Sequence, residues 1–394
     1  MSDFFCPLPW NTVYISSIGM QTICCRTESI KLKNTYDFNH DQIRHVRLDI
    51  LNNKIPEACS YCKLVEDDHG ISSLRQHSIN NNPNIDRSFV SNITDNNGNV
   101  STTPTQYNLV FGNICNLKCM MCMPWCSSRW IEDWDTITNK QDRVLYDPMY
   151  MRDKLNLNWY KDETYFNKIV EAINTGDERK GIFCSGGEVL INPWFKTFLE
   201  KISNKNNIYL EILSNGTVMT EPMEKLLRTI PNLIMNYSID AIGIRNDYIR
   251  FGSRFEDIEK NTNKMKDILG QIFITVSSVN ILNIDEIIQW CEDRGYRTHF
   301  EIVYGPLRYL CPLTLPDKFR LYAIEKLSKY LDGVNLKYTK KEDVENLISM
   351  LRNKVSVETI SIRDFLDLIQ KFDRTRKTKF IKAFPDWKKA LHEL

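Results

Sequence analysis

Residues 107–122 read YNLVFGNICNLKCMMC. The stretch opens with a short apolar run, Tyr107–Gly112, of the kind that forms a buried strand, and Cys115, Cys119 and Cys122 follow it directly. Three thiols this close together can each bind one iron of a 4Fe–4S cluster, which leaves the fourth iron open for a small molecule. The alternatives are a structural zinc knuckle or buried free cysteines, although structural zinc normally takes four protein ligands.

The pattern around this stretch predicts an α/β fold. Short apolar runs alternate with helix-like segments such as Pro222–Arg228 and Ile284–Arg294. The predicted strands are Tyr107–Gly112, Gly181–Ser185, Ile208–Ser214, Ile234–Asp240, Ile272–Ser278 and Thr298–Val303. Strands that alternate with helices indicate βα units and a parallel sheet, here a partial (β/α)6 TIM-like barrel. Ligands of such folds gather at the carboxyl ends of the strands.

Length and composition divide the chain into three predicted parts. The 394 residues, 42% of them hydrophobic, suffice for two or three compact units. We predict a cysteine-rich N-terminal domain over residues 1–105, the barrel over 106–310 and a helical C-terminal region over 311–394. Within the first part, Thr94–Val100 is a turn signal that indicates a hairpin or a linker.

Charge and hydropathy restrict the partners. The chain has 51 Lys and Arg against 50 Asp and Glu, a formal net charge of +1, so it lacks the single-sign field that attracts nucleic acid or an anionic membrane. It shows neither a secretory leader nor an apolar run of the roughly 18–20 residues that cross a bilayer. We therefore expect a cytoplasmic protein with no membrane partner and no nucleic-acid partner.

Twelve cysteines are many for a chain in a reducing compartment, where metal or cluster ligation is a better explanation than disulfides. Four of them lie outside ligand-like spacings and are predicted to be core residues: Cys126, Cys184, Cys291 and Cys311. The basic stretches Lys201–Lys205 and Arg374–Lys379 are predicted to be solvated helix faces.

Several segments together resemble the radical S-adenosylmethionine (SAM) enzymes. The C-x3-C-x2-C loop after a first strand is similar to that family's signature, and FCSGGEV at residues 183–189 resembles its Gly-Gly-Glu motif. LSNGT at residues 213–217 resembles the family's Thr-Asn-Gly turn, and DYIR at residues 247–250 resembles the segment whose Arg pairs with the SAM carboxylate. Two positions depart from the family pattern, Met121 in place of an aromatic residue and Val189 in place of proline.

The resemblance implies a set of site residues. Cys115, Cys119 and Cys122 would be the catalytic cluster ligands. The residues implied to bind SAM are Gly186, Gly187, Glu188, Ser214, Asn215, Ser238, Asp240 and Arg250. Among them Glu188 would accept a hydrogen bond from the methionine ammonium, and Arg250 would bind the SAM carboxylate. The residues that would contact the ribose are Ser214, Ser238, Asn215 and Asp240.

The N-terminal cysteines carry a second resemblance. Cys6, Gly19 and Cys24, followed by Cys59 and Cys62, are similar to the first part of the SPASM pattern, whose shortened form is called a twitch domain. Further similarity to twitch-domain-containing radical SAM proteins lies in Phe4–Gly19, Glu66, Gly70, Ser73, Arg75 and Asp373–Pro385. By this resemblance Cys6, Cys24, Cys59 and Cys62 would hold an auxiliary 4Fe–4S cluster. A four-cysteine zinc site is the alternative, and Cys25 is a spare or alternative ligand.

The implied function is that of a radical SAM enzyme. Such an enzyme takes an electron from a reductant such as flavodoxin or ferredoxin, cleaves SAM at its cluster to a 5′-deoxyadenosyl radical and abstracts hydrogen from a substrate. A peptide or protein is the leading substrate class, bound between the barrel mouth and the N-terminal domain. The alternatives are a small molecule or nucleotide substrate, or a non-catalytic cysteine–metal binding module.

Overall fold

The computed structural model describes residues 4–27, 30, 32–33, 35–69, 74–138, 158–303, 307–353 and 359–393. Gly70 and Ser73, which contribute to the twitch-domain resemblance, lie outside these ranges. The strands are β1 (Thr12–Ile15), β2 (Met20–Thr22), β3 (Leu32–Lys33), β4 (Gln106–Val110), β5 (Lys118–Cys119), β6 (Lys180–Ser185), β7 (Ile208–Ser214), β8 (Asn232–Ser238), β9 (Arg250–Phe251), β10 (Leu269–Val276) and β11 (Arg297–Ile302).

Within the described ranges, nine of these strands form one sheet in the order β11-β10-β8-β7-β6-β4-β1-β2-β3. Strands β4, β6, β7, β8, β10 and β11 are parallel neighbours, which confirms the predicted partial barrel. The prediction for β7, Ile208–Ser214, agrees at both ends. The other five start one to three residues earlier than predicted, a normal error at element ends.

The barrel strands have two chemically different faces. In β7 the buried Ile208, Leu210 and Ile212 alternate with the half-buried Tyr209 and Glu211. Because side chains alternate across a strand, the first set packs beneath the surrounding helices and the second lines the inside of the half-open barrel. The inner face therefore carries polar groups that can meet a ligand.

The helices lie between the strands and at both ends of the chain. They are α1 (Leu8–Asn11), α2 (Asp41–Leu51), α3 (Ser60–His69), α4 (Leu74–Asn81), α5 (Arg87–Ile93), α6 (Ile131–Ile137), α7 (Glu163–Asn174), α8 (Pro193–Lys201), α9 (Glu221–Leu227), α10 (Ile244–Ile249), α11 (Phe255–Lys264), α12 (Ile284–Arg294), α13 (Asp317–Gly333), α14 (Lys341–Arg352), α15 (Ile362–Arg376), α16 (Phe380–Ala383) and α17 (Pro385–Glu393). None of these helices in the described part of the chain is long and apolar enough to span a bilayer.

The N-terminal region continues the barrel sheet. Strand β1 pairs in parallel with β4, from Thr12 opposite Gln106 to Ile15 opposite Leu109, and β2 returns antiparallel to it. Val13 and Ile15 are completely buried. One sheet therefore joins the predicted N-terminal domain to the predicted barrel, across the boundary at residue 105. The three-part division of the chain stays a prediction. The predicted turn at Thr94–Val100 closes with one antiparallel bridge.

The C-terminal region is helical, as predicted. Helix α17 is fastened to the barrel by Trp387, whose indole N–H donates to the Val279 carbonyl over 3.1 Å and whose ring packs on Phe319 and Phe365. Helix α15 lies along α6, the helix that follows the cysteine loop. The C-terminal helices thus brace the segment that carries Cys115, Cys119 and Cys122.

Candidate active site

The three-cysteine loop is held in place by its backbone. Cys119 lies in β5, opposite Arg250 of β9, and its carbonyl accepts a hydrogen bond from the Trp130 indole N–H over 2.6 Å. The Ser127 hydroxyl donates to the Leu117 carbonyl over 2.6 Å. Because these bonds fix both the centre and the exit of the loop, the cysteine positions are set by the protein itself.

The three thiols lie close enough to influence one another's ionisation. Burial raises the pKa of Cys115 to about 12, with the neighbouring Cys119 thiolate adding to the effect. A hydrogen bond from Cys122 lowers the pKa of Cys119, and Arg250 lowers it further, whereas that hydrogen bond and burial raise the pKa of Cys122. Iron would displace the thiol protons, so ligation and ionisation are coupled here.

No group of three or more His, Cys, Asp or Glu side chains in the described ranges surrounds a point that one metal ion could occupy. In a 4Fe–4S cluster each thiolate binds a different iron, so its ligands stand around a larger volume.

The Gly186–Gly187 turn packs directly on the cysteine loop. Both residues have left-handed backbones, with φ of 98° and 52°. A Cβ atom on Gly186 would lie 2.5 Å from Val110 Cγ1, and one on Gly187 would lie 2.1 Å from the Ile114 carbonyl oxygen. The glycines are therefore required for this turn to approach the loop segment just before Cys115.

Glu188 is buried at the start of the next turn, and its carboxylate is fully hydrogen-bonded. Oε1 accepts from the Leu190 amide over 3.1 Å and from the Ser214 hydroxyl over 2.9 Å, and Oε2 accepts from the Asn215 amide over 2.6 Å. Burial raises the pKa of Glu188, while these donors oppose the rise. The carboxylate thus ties the end of β6 to the end of β7.

Asn215 connects this turn to the cysteine loop. Its Nδ2 donates to Asn116 Oδ1 over 2.9 Å and lies 3.9 Å from Cys115 Sγ. Asn116 in turn donates to the Thr217 hydroxyl over 2.8 Å. Asn116 was not predicted as a site residue, because the spacer positions of a cysteine motif carry no signal of their own.

Arg250 and Asp240 form a buried ion pair beside Cys119. Arg250 Nε lies 2.8 Å from Asp240 Oδ2, and Arg250 Nη1 lies 3.8 Å from Cys119 Sγ. Asp240 is completely buried and also accepts from the Thr275 amide over 2.8 Å. Burial alone would lower the pKa of Arg250, but the Asp240 carboxylate and Cys119 raise it overall. Ser238, two residues before Asp240, is half-buried.

The four N-terminal cysteines come together as a second site. Cys6, Cys24, Cys59 and Cys62 all line one pocket, together with Arg75. Burial raises the pKa of Cys6 to about 12 and also raises the pKa values of Cys24 and Cys59, each with a contribution from neighbouring thiols. Arg75 and Glu66, both part of the twitch-domain resemblance, pair over 2.9 Å at this site.

Cys25 lies outside that pocket and faces a different region. It is exposed, and it interacts electrostatically with Tyr14 of β1 and with Glu301 of β11. Tyr14 also interacts electrostatically with Cys24 and with Cys126, so it lies near both the N-terminal cysteines and the segment that follows the cysteine loop.

Two predictions about single residues were wrong. Cys184, Cys291 and Cys311 are buried as expected, but Cys126 is exposed because it ends a turn in which its amide bonds the Met123 carbonyl. Desolvation by the surrounding protein atoms still raises its pKa to about 11.

The second error is in the stretch Arg374–Lys379, which is not uniformly solvated. Arg376 points inward from the end of α15 and is only 7% exposed. The error arose because a run of basic residues gives no sign of which one lies on the inner face of its helix.

Comparison with known proteins identifies the central part of the chain. Residues 109–294 match the Radical SAM superfamily. The chain carries a radical SAM domain. Enzymes of this superfamily use a 4Fe–4S cluster and SAM as cofactors and need a reductant. The residues present fit the cluster, since three soft thiolate donors are the usual ligands of iron–sulfur centres.

The chain is also similar in fold to solved structures. One is a polyhistidine-tagged anSMEcpe with bound AdoMet (17% identity, TM-score 0.42, 64% of this chain and 67% of that chain). Another is Streptococcus suis SuiB bound to S-adenosylmethionine (14% identity, TM-score 0.39, 89% and 75%), and a third is SuiB bound to precursor peptide SuiA (13% identity, TM-score 0.37, 74% and 64%). These similarities are too weak to identify a substrate. No curated protein matches the chain in sequence.

Proposed function

We propose that the protein cleaves SAM reductively and uses the 5′-deoxyadenosyl radical to take a hydrogen atom from a substrate. The cluster would be held by Cys115, Cys119 and Cys122, and it would supply the electron for cleavage. The observation that carries the proposal is the meeting of these thiols with Arg250 and Glu188, beyond the carboxyl ends of parallel strands.

The Arg250 guanidinium is the group that would bind the SAM carboxylate. Its Nε forms an ion pair with Asp240, and its Nη1 lies next to Cys119, on the side where the cluster would bind. A guanidinium fixed at one edge can offer its remaining N–H groups to a carboxylate. Because Asp240 is completely buried, we assign it the role of positioning Arg250 rather than of contacting the ribose.

The other residues predicted to bind SAM fall into two groups, according to whether their side chains are buried or accessible. Glu188 and Ser214 are buried and bonded to each other, so they would shape the turn whose backbone faces SAM. The backbone of Gly186 and Gly187 would contribute to the same surface. Ser238 is half-buried and Asn215 adjoins Cys115, so these two side chains are the ones we assign to direct contact with SAM, including its ribose.

The N-terminal pocket would hold the auxiliary 4Fe–4S cluster. Its support is the convergence of Cys6, Cys24, Cys59 and Cys62 on one pocket that excludes Cys25. A four-cysteine zinc site would use the same residues, and iron analysis distinguishes the two. The auxiliary cluster could accept an electron from the substrate radical or relay one.

The substrate would bind in the space between the two cysteine sites. Tyr14, Cys25, Cys126 and Glu301, which influence one another electrostatically, would line this space, and Glu301 is paired with His299 over 3.5 Å. The pKa of Glu301 is lowered, first by its bond to His299, so it presents a negative charge. We propose a peptide or protein substrate, because twitch and SPASM relatives often modify peptides. A small molecule or nucleotide remains the second substrate class, and flavodoxin or ferredoxin would be the electron donor.

The test is SAM cleavage by anaerobically reconstituted, reduced protein. We expect 5′-deoxyadenosine to form, and we expect its formation to fall to background in Cys119→Ala. Cys291→Ala is the matched control, since Cys291 is buried in α12, away from both cysteine sites. Cleavage that survives in Cys119→Ala would contradict the assignment of the cluster to this cysteine loop, and cleavage that is absent from the reconstituted native protein would favour a non-catalytic cysteine–metal binding module.

A further inference from the structure

The side chain of Arg376 is a buried cation at the end of α15. Only 2% of this side chain is exposed, and its Nε donates to Asp133 Oδ2 over 3.0 Å. Among the described residues, neither Nη1 nor Nη2 has a hydrogen-bond partner. Two NH2 groups without partners on a buried guanidinium are costly, so their environment has to compensate in another way.

Aromatic rings enclose the guanidinium. Its central carbon lies 4.6 Å from the ring centre of Phe372 and 5.1 Å from the ring centres of both Trp130 and Phe251. Ring faces attract a cation and exclude water from it. Because the site is dry, the charge of Arg376 is poorly screened and acts on neighbouring groups at longer range.

The aromatic residues around this charge contact the cysteine loop and its strand pair. Trp130 bonds the Cys119 carbonyl, and Phe251 pairs with Lys118 in the β5–β9 sheet. Arg376 itself interacts electrostatically with Cys119. Asp133 also binds Lys118, over 2.9 Å, so its one negative charge is shared between two cations, and the exposed Glu132 pairs with Lys118 on the other side over 2.7 Å.

We propose that Arg376 is a positioning residue that raises the reduction potential of the cluster held by Cys115, Cys119 and Cys122. The inference rests on the proposed function, since it requires that cluster. Reduction adds one negative charge to a centre already bound by three thiolates. A fixed positive charge behind Cys119 stabilises the reduced form more than the oxidised form, so it favours uptake of the electron.

The experiment is a potentiometric titration of the full-length, reconstituted protein, followed by electron paramagnetic resonance. The relevant signal is the one that changes when SAM is added, which separates it from any auxiliary cluster. In Arg376→Gln we expect a more negative midpoint, with the reduced-to-oxidised ratio at fixed potential falling about tenfold, equivalent to ~59 mV for one electron. Arg376→Lys keeps the charge and should stay near the native value.

Arg374→Gln is the matched control, because it removes the same charge from the exposed side of the same helix. Its midpoint should equal that of the native protein.

If Arg376→Gln fails to assemble a cluster, Asp133→Asn provides the opposite test. It leaves the charge of Arg376 less compensated, so the midpoint should become more positive. An unchanged midpoint in Arg376→Gln overturns the inference. If that variant assembles no cluster, an unchanged midpoint in Asp133→Asn overturns it. A native protein with no SAM-responsive signal would instead overturn the proposed function.

Discussion

At the scale of single residues, Gly187 and Gly243 both have a positive φ, of 52° and 56°, but different surroundings. A Cβ on Gly187 meets the Ile114 carbonyl, whereas one on Gly243 meets nothing within 4 Å. Gly243 has a ψ of −137°, a backbone conformation that side chains rarely adopt, so Gly243→Ala should cost only this conformational strain, about 1–3 kcal/mol of unfolding free energy. Gly187→Ala should cost a further ~1–3 kcal/mol through overpacking.

Urea unfolding of both variants in the cluster-free state measures the difference. Equal losses in the two variants would show that the cysteine loop moves aside easily. In that case the glycine turn would not fix the position of Cys115.

Asp240 offers a second test at this scale. If it acts by positioning Arg250, Asp240→Asn should weaken the binding of SAM, and also of methionine, by roughly tenfold, since both ligands carry the carboxylate that Arg250 would grip. Calorimetry on the reconstituted protein measures both affinities. Asp257→Asn, an exposed carboxylate of α11, is the control and should bind like the native protein. Loss of SAM binding with unchanged methionine binding would point to the ribose instead.

Sequence reasoning found the residues that belong to motifs and missed those that depend on packing. The cysteines, Glu188 and Arg250 could be predicted because their spacing is characteristic. Arg376 could not, because its importance comes from a helix more than 200 residues after the cysteine loop folding back onto α6. The exposure of Cys126 depends on the turn in which it lies.

At the scale of elements, the sequence did not predict the short strands β1, β2, β3, β5 and β9, and of these β1 joins the N-terminal region to the barrel. It has four residues, and its partner β4 lies far along the chain, so no local pattern signals the pairing. The predicted barrel strands and the helices between them were easier to identify, since both show clear periodicity over longer stretches.

The pairing of β1 with β4 predicts that β1 unfolds locally together with the barrel sheet and not independently of it. Amide hydrogen exchange of Val13 and Ile15 should be about as slow as that of Leu109, because all three are completely buried in one sheet. The amides of α5, Arg87–Ile93, serve as an internal comparison outside the sheet. Fast exchange in β1 with slow exchange in β4 would mean that the N-terminal region opens independently of the barrel.

At the scale of the whole molecule, Tyr14 of β1 lies within electrostatic range of Cys24 in the N-terminal site and of Cys126 after the cysteine loop. The sequence predicts both cysteine sites and the barrel. It does not predict that Cys25 lies within electrostatic range of Glu301, because that proximity depends on the curvature of the complete sheet.

The number of clusters is a property of the complete chain. Reconstituted native protein should contain about eight irons for two 4Fe–4S clusters, and Cys59→Ser should contain about four. Cys25→Ser should keep the native content, because Cys25 lies outside the N-terminal pocket. About four irons together with one zinc in the native protein would instead support a zinc site at the N-terminal cysteines.

The central claim is that Cys115, Cys119 and Cys122 leave one iron free for SAM. The most direct measurement is electron paramagnetic resonance of reduced Cys59→Ser protein, which should retain only this cluster, with and without SAM. We predict a 4Fe–4S signal that changes shape when SAM is added, through direct ligation of the free iron. A signal that SAM leaves unchanged, or one that persists in Cys119→Ala, would contradict the claim.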